Sequence, residues 1–269
     1  MAGHLVELKN EYLRELLSHN QIREFIPVAN HQNLFDKGHL EKLHSFFKYN
    51  TIYYKQQKIT LSNIPCISYE GDVNQFWTSS KKYETIYQPF LPIWGLSALV
   101  LILVAKDLGF ENIIDIGSGD GRLIFCGSIL GLNSIGIEID KDLCDLQNKI
   151  SNSSNVKYKV VNSDSNSIDY SQFNLENTII FISALPDSGE ILSYGMLNHL
   201  KKYKAKLHNV GITLMGNRAY RYSRDKSKYG WGKFMDDSGL KIVKCINLPS
   251  SWTLDEKKET PYLFTLYKC

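Results

Sequence analysis

Residues 113–121 read Ile-Ile-Asp-Ile-Gly-Ser-Gly-Asp-Gly, an apolar run that enters a glycine-rich turn and continues into a helical pattern at Gly121–Leu130. Glycines in a strand-turn-helix context let the backbone turn sharply and approach a ligand closely, while the helix start offers free N–H groups. The chemistry implied is the binding of a nucleotide-like ligand. In the dinucleotide fingerprint the third glycine would fall at position 122, which is Arg122. Gly117, Gly119 and Gly121 form GxGxG instead, a spacing that tilts away from NAD.

Acidic residues follow in order. The next strand pattern ends in Gly136-Ile137-Glu138-Ile139-Asp140, which places Glu138 where a carboxylate can accept hydrogen bonds from both hydroxyls of a ribose. After a third strand come Asn162-Ser163-Asp164, where Asp164 can accept from an adenine amino group and Ile139 can pack on the base. The ordered set carries more weight than any member. A fourth strand runs into Ser183-Ala184-Leu185-Pro186-Asp187-Ser188-Gly189-Glu190, on the face where substrates enter an open α/β sheet. Asp187 and Glu190 can take up a proton, pair with a cationic substrate, or cap the helix expected at Ile191–Tyr203.

Charge is unevenly distributed. The net +3 conceals a segment, Lys201–Lys233, with ten basic residues against Asp225 alone, so it carries +9 and the remainder −6. Within it, Asn217–Phe234 interleaves basic residues such as Arg218 and Arg221 with aromatics such as Tyr222, Trp231 and Phe234. Such a pattern can track phosphates and stack bases, recognise an acidic protein, or form a solvated surface anchored by its rings.

These residues need a scaffold, and the periodicity supplies one. Strands are expected at Asn112–Ile116, Ser134–Ile139, Val156–Val161, Thr178–Ile182, Asn209–Met215, Lys241–Asn247 and Tyr262–Tyr267. Helices are expected at Leu96–Leu108, Gly121–Leu130, Lys141–Lys149 and Ile191–Tyr203. The alternation predicts an α/β fold, Rossmann-like, whose mostly parallel seven-stranded sheet ends in an antiparallel C-terminal hairpin. Residues 1–82 read as a small N-terminal α+β extension and 83–269 as the main domain. The extension shows an amphipathic helix that carries Leu5 to Leu17 and ends near His19-Asn20, a second helix carrying Leu40, Leu43, Phe46 and Phe47, and β-like residues from Tyr53 to Tyr69 with Pro65 as a break.

Composition narrows the remaining classes. The chain has 269 residues, 43% hydrophobic and 22% charged, enough to bury a core. Five cysteines lack a CxxC pair and seven histidines lack HxxxH spacing, so no metal is expected and the thiols read as reduced core residues. The first twenty residues hold no apolar signal-peptide core, which suggests a cytoplasmic setting. The apolar run Phe90–Ala105 falls short of the roughly 20 residues that span a bilayer, so a core helix and no membrane insertion are expected. No pattern specifies an oligomeric state.

The acidic residue followed by GxGxG resembles the first motif of class I S-adenosylmethionine-dependent methyltransferases, and the likeness extends from about Tyr83 to the C-terminus. It implies a sheet with its last strand inserted antiparallel and S-adenosyl-L-methionine lying across the ends of the first three strands. By this resemblance Asp115 and the turn Gly117, Ser118, Gly119 and Gly121 hold the methionine part, Glu138 the ribose, and Asp164 the adenine, against which Ile139 can pack. A narrower segment, Tyr87-Gln88-Pro89-Phe90-Leu91-Pro92 followed by DIGSGDGRL and GIEID, is similar to archaeal protein lysine methyltransferases and their relatives acting on the ATP synthase c subunit and the adenine nucleotide translocase. Their Tyr-x-Pro-Thr-Pro segment is matched here without the threonine and with different proline spacing.

A lysine acceptor must be neutral when it attacks, a state favoured by apolar or aromatic surroundings, which gives Tyr83 and Tyr87 a plausible task. The strand end at 183–190 lacks the Asn/Asp-Pro-Pro-Tyr/Phe motif of nucleic-acid amino-methyltransferases and the Pro-Cys or Thr-Cys motif of covalent cytosine methylation. Protein lysine is therefore the first expected acceptor, RNA the second through Arg218, Arg221 and Tyr222, and a catalytically silent cofactor-binding module the third.

Overall fold

The computed structural model describes residues 5, 21–28, 35–73, 76, 90, 92–182, 186–202, 209–215, 231–249 and 259–267. In chain order these form β1 (Gln21–Pro27), α1 (Lys37–Tyr49), β2 (Tyr53–Leu61), β3 (Ile64–Asp72), α2 (Gly95–Asp107), β4 (Asn112–Ile116), α3 (Arg122–Ile129), β5 (Asn133–Glu138), α4 (Lys141–Ser154), β6 (Lys159–Asn162), β7 (Thr178–Ile182), α5 (Pro186–Lys201), β8 (Gly211–Met215), α6 (Gly232–Ser238), β9 (Leu240–Pro249) and β10 (Glu259–Tyr267).

The main sheet has seven strands in the order β6-β5-β4-β7-β8-β10-β9. Five run parallel, and β10 lies between β8 and β9, antiparallel to both. This is the Rossmann-like sheet with an inserted last strand that the periodicity and the resemblance implied. Strands β4 and β7 are buried along their whole length, as expected of central parallel strands covered by helices on both faces. Register aligns Asp115 with Gly136 and Glu138 with Asn162, so the carboxyl ends of β4, β5 and β6 stand side by side.

The extension is a three-stranded antiparallel sheet, β1-β3-β2, with α1 packed on it. Helix α1 starts where Asp36 accepts the His39 N–H, and it buries Leu40, Leu43, Phe46 and Phe47 at helical spacing. The β2–β3 hairpin turns at Ser62 and Asn63, both at positive φ, so the turn residues make the break and Pro65 lies within β3 paired with Thr60. Strand β1 carried no expectation, because Gln-Ile-Arg-Glu-Phe-Ile-Pro mixes charge with apolar residues over only seven positions. Of the helix expected from Leu5, only Leu5 lies within the described residues, and it is buried.

Extension and sheet share one hydrophobic cluster, which joins Phe25, Phe46 and Phe47 to α2, α3 and α4. Phe25 meets Trp94 edge-on at 4.8 Å, and Phe46 meets Phe125 at 5.0 Å. Helices α5 and α6 cover the opposite face in a second cluster. Several boundaries differ from the sequence pattern. Helix α4 continues to Ser154, where Asn155 at positive φ ends it, so β6 begins at Lys159. Helix α5 begins at Pro186, a residue suited to a first helical position because its missing N–H would find no partner there. The expected core role of cysteine holds for Cys66, Cys126 and Cys144 but not for Cys245, which is exposed on the sheet's edge strand β9.

Candidate functional site

The carboxyl ends of β4 and β5 place Asp115, the glycine turn and Glu138 together. Gly117 and Ser118 donate their N–H groups to the Ile137 carbonyl at 2.9 and 3.2 Å, tying the turn to the neighbouring strand. Gly117 sits at φ +70° and Gly119 at φ +58°, in the region that favours glycine. Among the described residues a Cβ on Gly117 would meet no atom within 4 Å, so they leave space beside it, whereas one on Gly119 would lie 2.5 Å from the Phe90 ring.

Asp115 is 2% exposed, and its Oδ1 has no hydrogen-bond partner among the described residues. Burial raises its pKa well above the carboxylate range, and the charges of Glu138 and Asp120 push the same way. A buried carboxylate in this state calls for a proton or a cation. Glu138 is 7% exposed and accepts three backbone N–H groups: Gly119 on Oε2 at 2.8 Å, and Ile139 and Asp140 on Oε1 at 2.9 and 3.0 Å. Burial raises its pKa, opposed by those three bonds. Asp140 caps α4 through Oδ1, while its Oδ2 is buried without a partner among the described residues.

Ile139, next along the chain, is half-buried. Asp164, beyond the end of β6, is also half-buried; it accepts the Asn166 N–H at 2.9 Å and the Ser167 hydroxyl at 3.3 Å, which fixes the loop that follows the strand. Among the described residues no group of three His, Cys, Asp or Glu side chains could hold a metal ion.

Sequence reasoning passed over several residues that shape this turn. Gln147, on α4 and fully buried, donates Nε2 to the Gly119 carbonyl at 2.8 Å and accepts the Ser118 hydroxyl at 3.1 Å. Its position on the buried face of a helix was legible, its partner was not. Phe90 covers Gly119 and packs against Phe76 at 6.0 Å. Arg122 follows the turn and is 3% exposed, with its guanidinium directed into the extension.

Tyr83, Tyr87, Arg218, Arg221 and Tyr222 lie outside the described residues. Asp187 and Glu190 fall in the first turns of α5 rather than ahead of it, so the expected helix start at Ile191 is corrected; their side chains also lie outside the described residues. At the end of the basic segment, Trp231 and Phe234 are fully buried, and the Trp231 Nε1–H donates to the Met215 carbonyl at 2.9 Å. These two rings anchor α6 to the sheet and are not free for stacking.

No protein-family model matches the chain, and no curated protein matches it in sequence. Solved structures do resemble it. A tRNA (uracil-54, C5)-methyltransferase of Pyrococcus abyssi, in complex with S-adenosyl-L-homocysteine, is 16% identical over 68% of this chain and 40% of its own length, with a TM-score of 0.46. An S-adenosylmethionine-dependent methyltransferase of Clostridium acetobutylicum is 11% identical over 73% of this chain and 98% of its own, at 0.46. The magnesium protoporphyrin IX methyltransferase of Synechocystis is 13% identical over 73% and 97%, at 0.44. Likeness at this level concerns the fold alone. The strand order, with β10 inserted antiparallel between β8 and β9, makes a Rossmann-like, mostly parallel sheet with an antiparallel C-terminal hairpin. Among the described residues no helix is long and apolar enough to cross a membrane.

Proposed function

We propose that this chain is an S-adenosyl-L-methionine-dependent methyltransferase with protein lysine as its acceptor. The observation that carries the cofactor reading is Asp115, a buried carboxylate whose Oδ1 lacks a partner among the described residues, one residue before Ile116 and the space those residues leave at Gly117. A cationic ligand suits that oxygen, and an ammonium can give it the charge-assisted hydrogen bond it lacks. Glu138, on the adjacent strand, suits a ribose hydroxyl, and half-buried Ile139 offers an apolar surface to a base. When bound, the cofactor supplies an electrophilic methyl group on a sulfonium. The protein's own work is then to align the acceptor nitrogen with that methyl and to keep water away. Asp187 and Glu190, beyond the end of β7, are candidates to receive the proton that a lysine ammonium must lose before attack, and Tyr83 and Tyr87 are candidates for the surface that favours its neutral form.

The lysine reading is supported by the segment Tyr87–Pro92 and its likeness to protein lysine methyltransferases. A second acceptor class, RNA, is favoured by the +9 segment and by Arg218, Arg221 and Tyr222 within it. We propose a cytoplasmic setting for either activity.

Calorimetry with S-adenosyl-L-methionine tests the premise. Binding is expected in the native chain and absent in Gly119→Arg, whose side chain would collide with Phe90. No binding, or binding indifferent to that substitution, refutes it. Incubation of lysate with radiolabelled cofactor, followed by nuclease or protease, separates the acceptors. Label that survives protease and is lost to nuclease rules out lysine. Cofactor binding with no label in either fraction leaves a catalytically silent module.

A further inference from the structure

The N-terminal extension reaches the glycine turn through one buried polar network. Glu24, on β1, is 1% exposed; it accepts the Gly95 N–H at 2.9 Å and Arg122 Nη1 at 2.6 Å. Asp120, between Gly119 and Gly121, is equally buried and accepts Arg122 Nε at 2.9 Å and Nη2 at 2.5 Å. Asn50, just past α1, donates Nδ2 to Asp120 Oδ2 at 2.9 Å, and its own Oδ1 accepts the Ile52 N–H at 3.1 Å. Arg122 also donates to the Ile93 carbonyl and, from Nη2, to the Tyr53 hydroxyl at 3.1 Å. The guanidinium's five N–H groups therefore all have partners. Burial works against the charged guanidinium, but Asp120, Tyr53 and Glu24 outweigh it and hold it protonated.

A buried ion pair seldom stabilises a fold more than apolar packing of the same volume would. Its use here lies in geometry. The network grips Asp120, and with it the turn in which Gly119 and Gly121 both hold positive φ. Glycines there, Gly117 included, would otherwise let the turn relax into other conformations.

We propose that Glu24 and Asn50 are positioning residues for the cofactor, acting through Arg122 and Asp120 to set the turn Gly117–Gly121. The extension is then a structural part of the cofactor site. The assignment rests on the cofactor reading, and its test separates the two. Titration of S-adenosyl-L-homocysteine into Glu24→Gln should give affinity about tenfold weaker than the native chain, and into Asn50→Ala about fivefold weaker. Ile26→Val, at a fully buried position on β1 whose apolar side chain takes no part in the hydrogen-bond network, serves as the structural control. It should lower the melting temperature and leave affinity unchanged. Equal loss of affinity in Ile26→Val and Glu24→Gln, at matched melting temperature, overturns the proposal. Amide resonances of Gly117, Gly119 and Gly121 in the unliganded proteins give a readout independent of binding. They should move in Glu24→Gln and stay in place in Ile26→Val. If the native chain binds no S-adenosyl-L-homocysteine, the cofactor reading fails, and the glycine resonances alone decide: unmoved resonances in Glu24→Gln overturn the coupling, moved ones support it.

Discussion

Gly117→Ala isolates the open space at the site from the stability of the turn. At φ +70° an alanine carries left-handed strain of about 1–2 kcal/mol, partly offset by about 0.4–1 kcal/mol of reduced freedom in the unfolded chain. The described residues add no further cost, because none of their atoms lies within 4 Å of the new Cβ. The net loss is about 1 kcal/mol, which lowers the melting temperature of a chain this size by roughly 2–4 °C. Gly119→Ala carries the same backbone strain, and its Cβ sits 2.5 Å from Phe90. That overlap adds about 1–3 kcal/mol unless the ring moves, and Phe90→Leu should relieve part of it. Thermal melts of both variants should therefore show the larger drop for Gly119→Ala. Cofactor affinity should be lost in Gly117→Ala by more than its small stability change accounts for, since the methyl occupies the space assigned to the ligand. Calorimetry giving native affinity in Gly117→Ala, alongside a drop of only a few degrees, would refute the placement of the ligand at that glycine.

Asp115 links binding to pH. Its folded pKa is raised by burial, so protonation favours the folded state, and that contribution is lost as pH rises from about 4 through the raised value. Asp115→Asn should flatten this decline in melts recorded across pH, stabilise the unliganded protein at the upper end and weaken the cationic ligand; pH profiles that coincide for the two proteins would argue against a titrating Asp115. Arg122→Met strands Glu24 and Asp120 as buried charges without their partner and should cost about 3–5 kcal/mol in denaturant unfolding, with a loss below about 1 kcal/mol counting against the network. If RNA is the acceptor, charge reversal at Arg221 and Arg224 should reduce the salt slope of nucleic-acid binding by about one for each phosphate no longer neutralised. An unchanged slope would place both arginines away from the RNA.

The parts of the fold that could be read from the chain are those governed by short-range pattern. Strands β4 and β7 match their expected bounds because each is a short isoleucine-rich run. The antiparallel hairpin of β9 and β10 followed from two strand patterns with no helix between them, while the insertion of β10 beside β8 came only from the family resemblance. What escaped was set by partners distant in sequence. Arg122 reads as one residue of a glycine-rich segment, and nothing adjacent announces that Glu24, 98 positions earlier, is its partner. Strand β1 gains its identity only by pairing with β3, and α6 only by burying Trp231 and Phe234, two rings that the charge pattern had grouped with a recognition loop.

Glu138 shows how the geometry sharpens a role suggested by spacing. A carboxylate offers about four acceptor positions, and three of them already hold the N–H groups of Gly119, Ile139 and Asp140. Room remains for one ribose hydroxyl unless the Gly119 N–H releases its oxygen. The turn is held by Gln147 and by the Arg122 network, both of which oppose such a release. One hydroxyl should therefore dominate: of the 2′-deoxy and 3′-deoxy forms of S-adenosyl-L-homocysteine, one should bind about 1–3 kcal/mol more weakly than the parent and the other nearly as well. Glu138→Ala should remove the difference between the two and lower affinity for the parent by a similar amount. Equal losses for both deoxy compounds in the native protein would mean that Gly119 lets go when the ligand arrives, and that the turn is less firmly held than its hydrogen bonds imply.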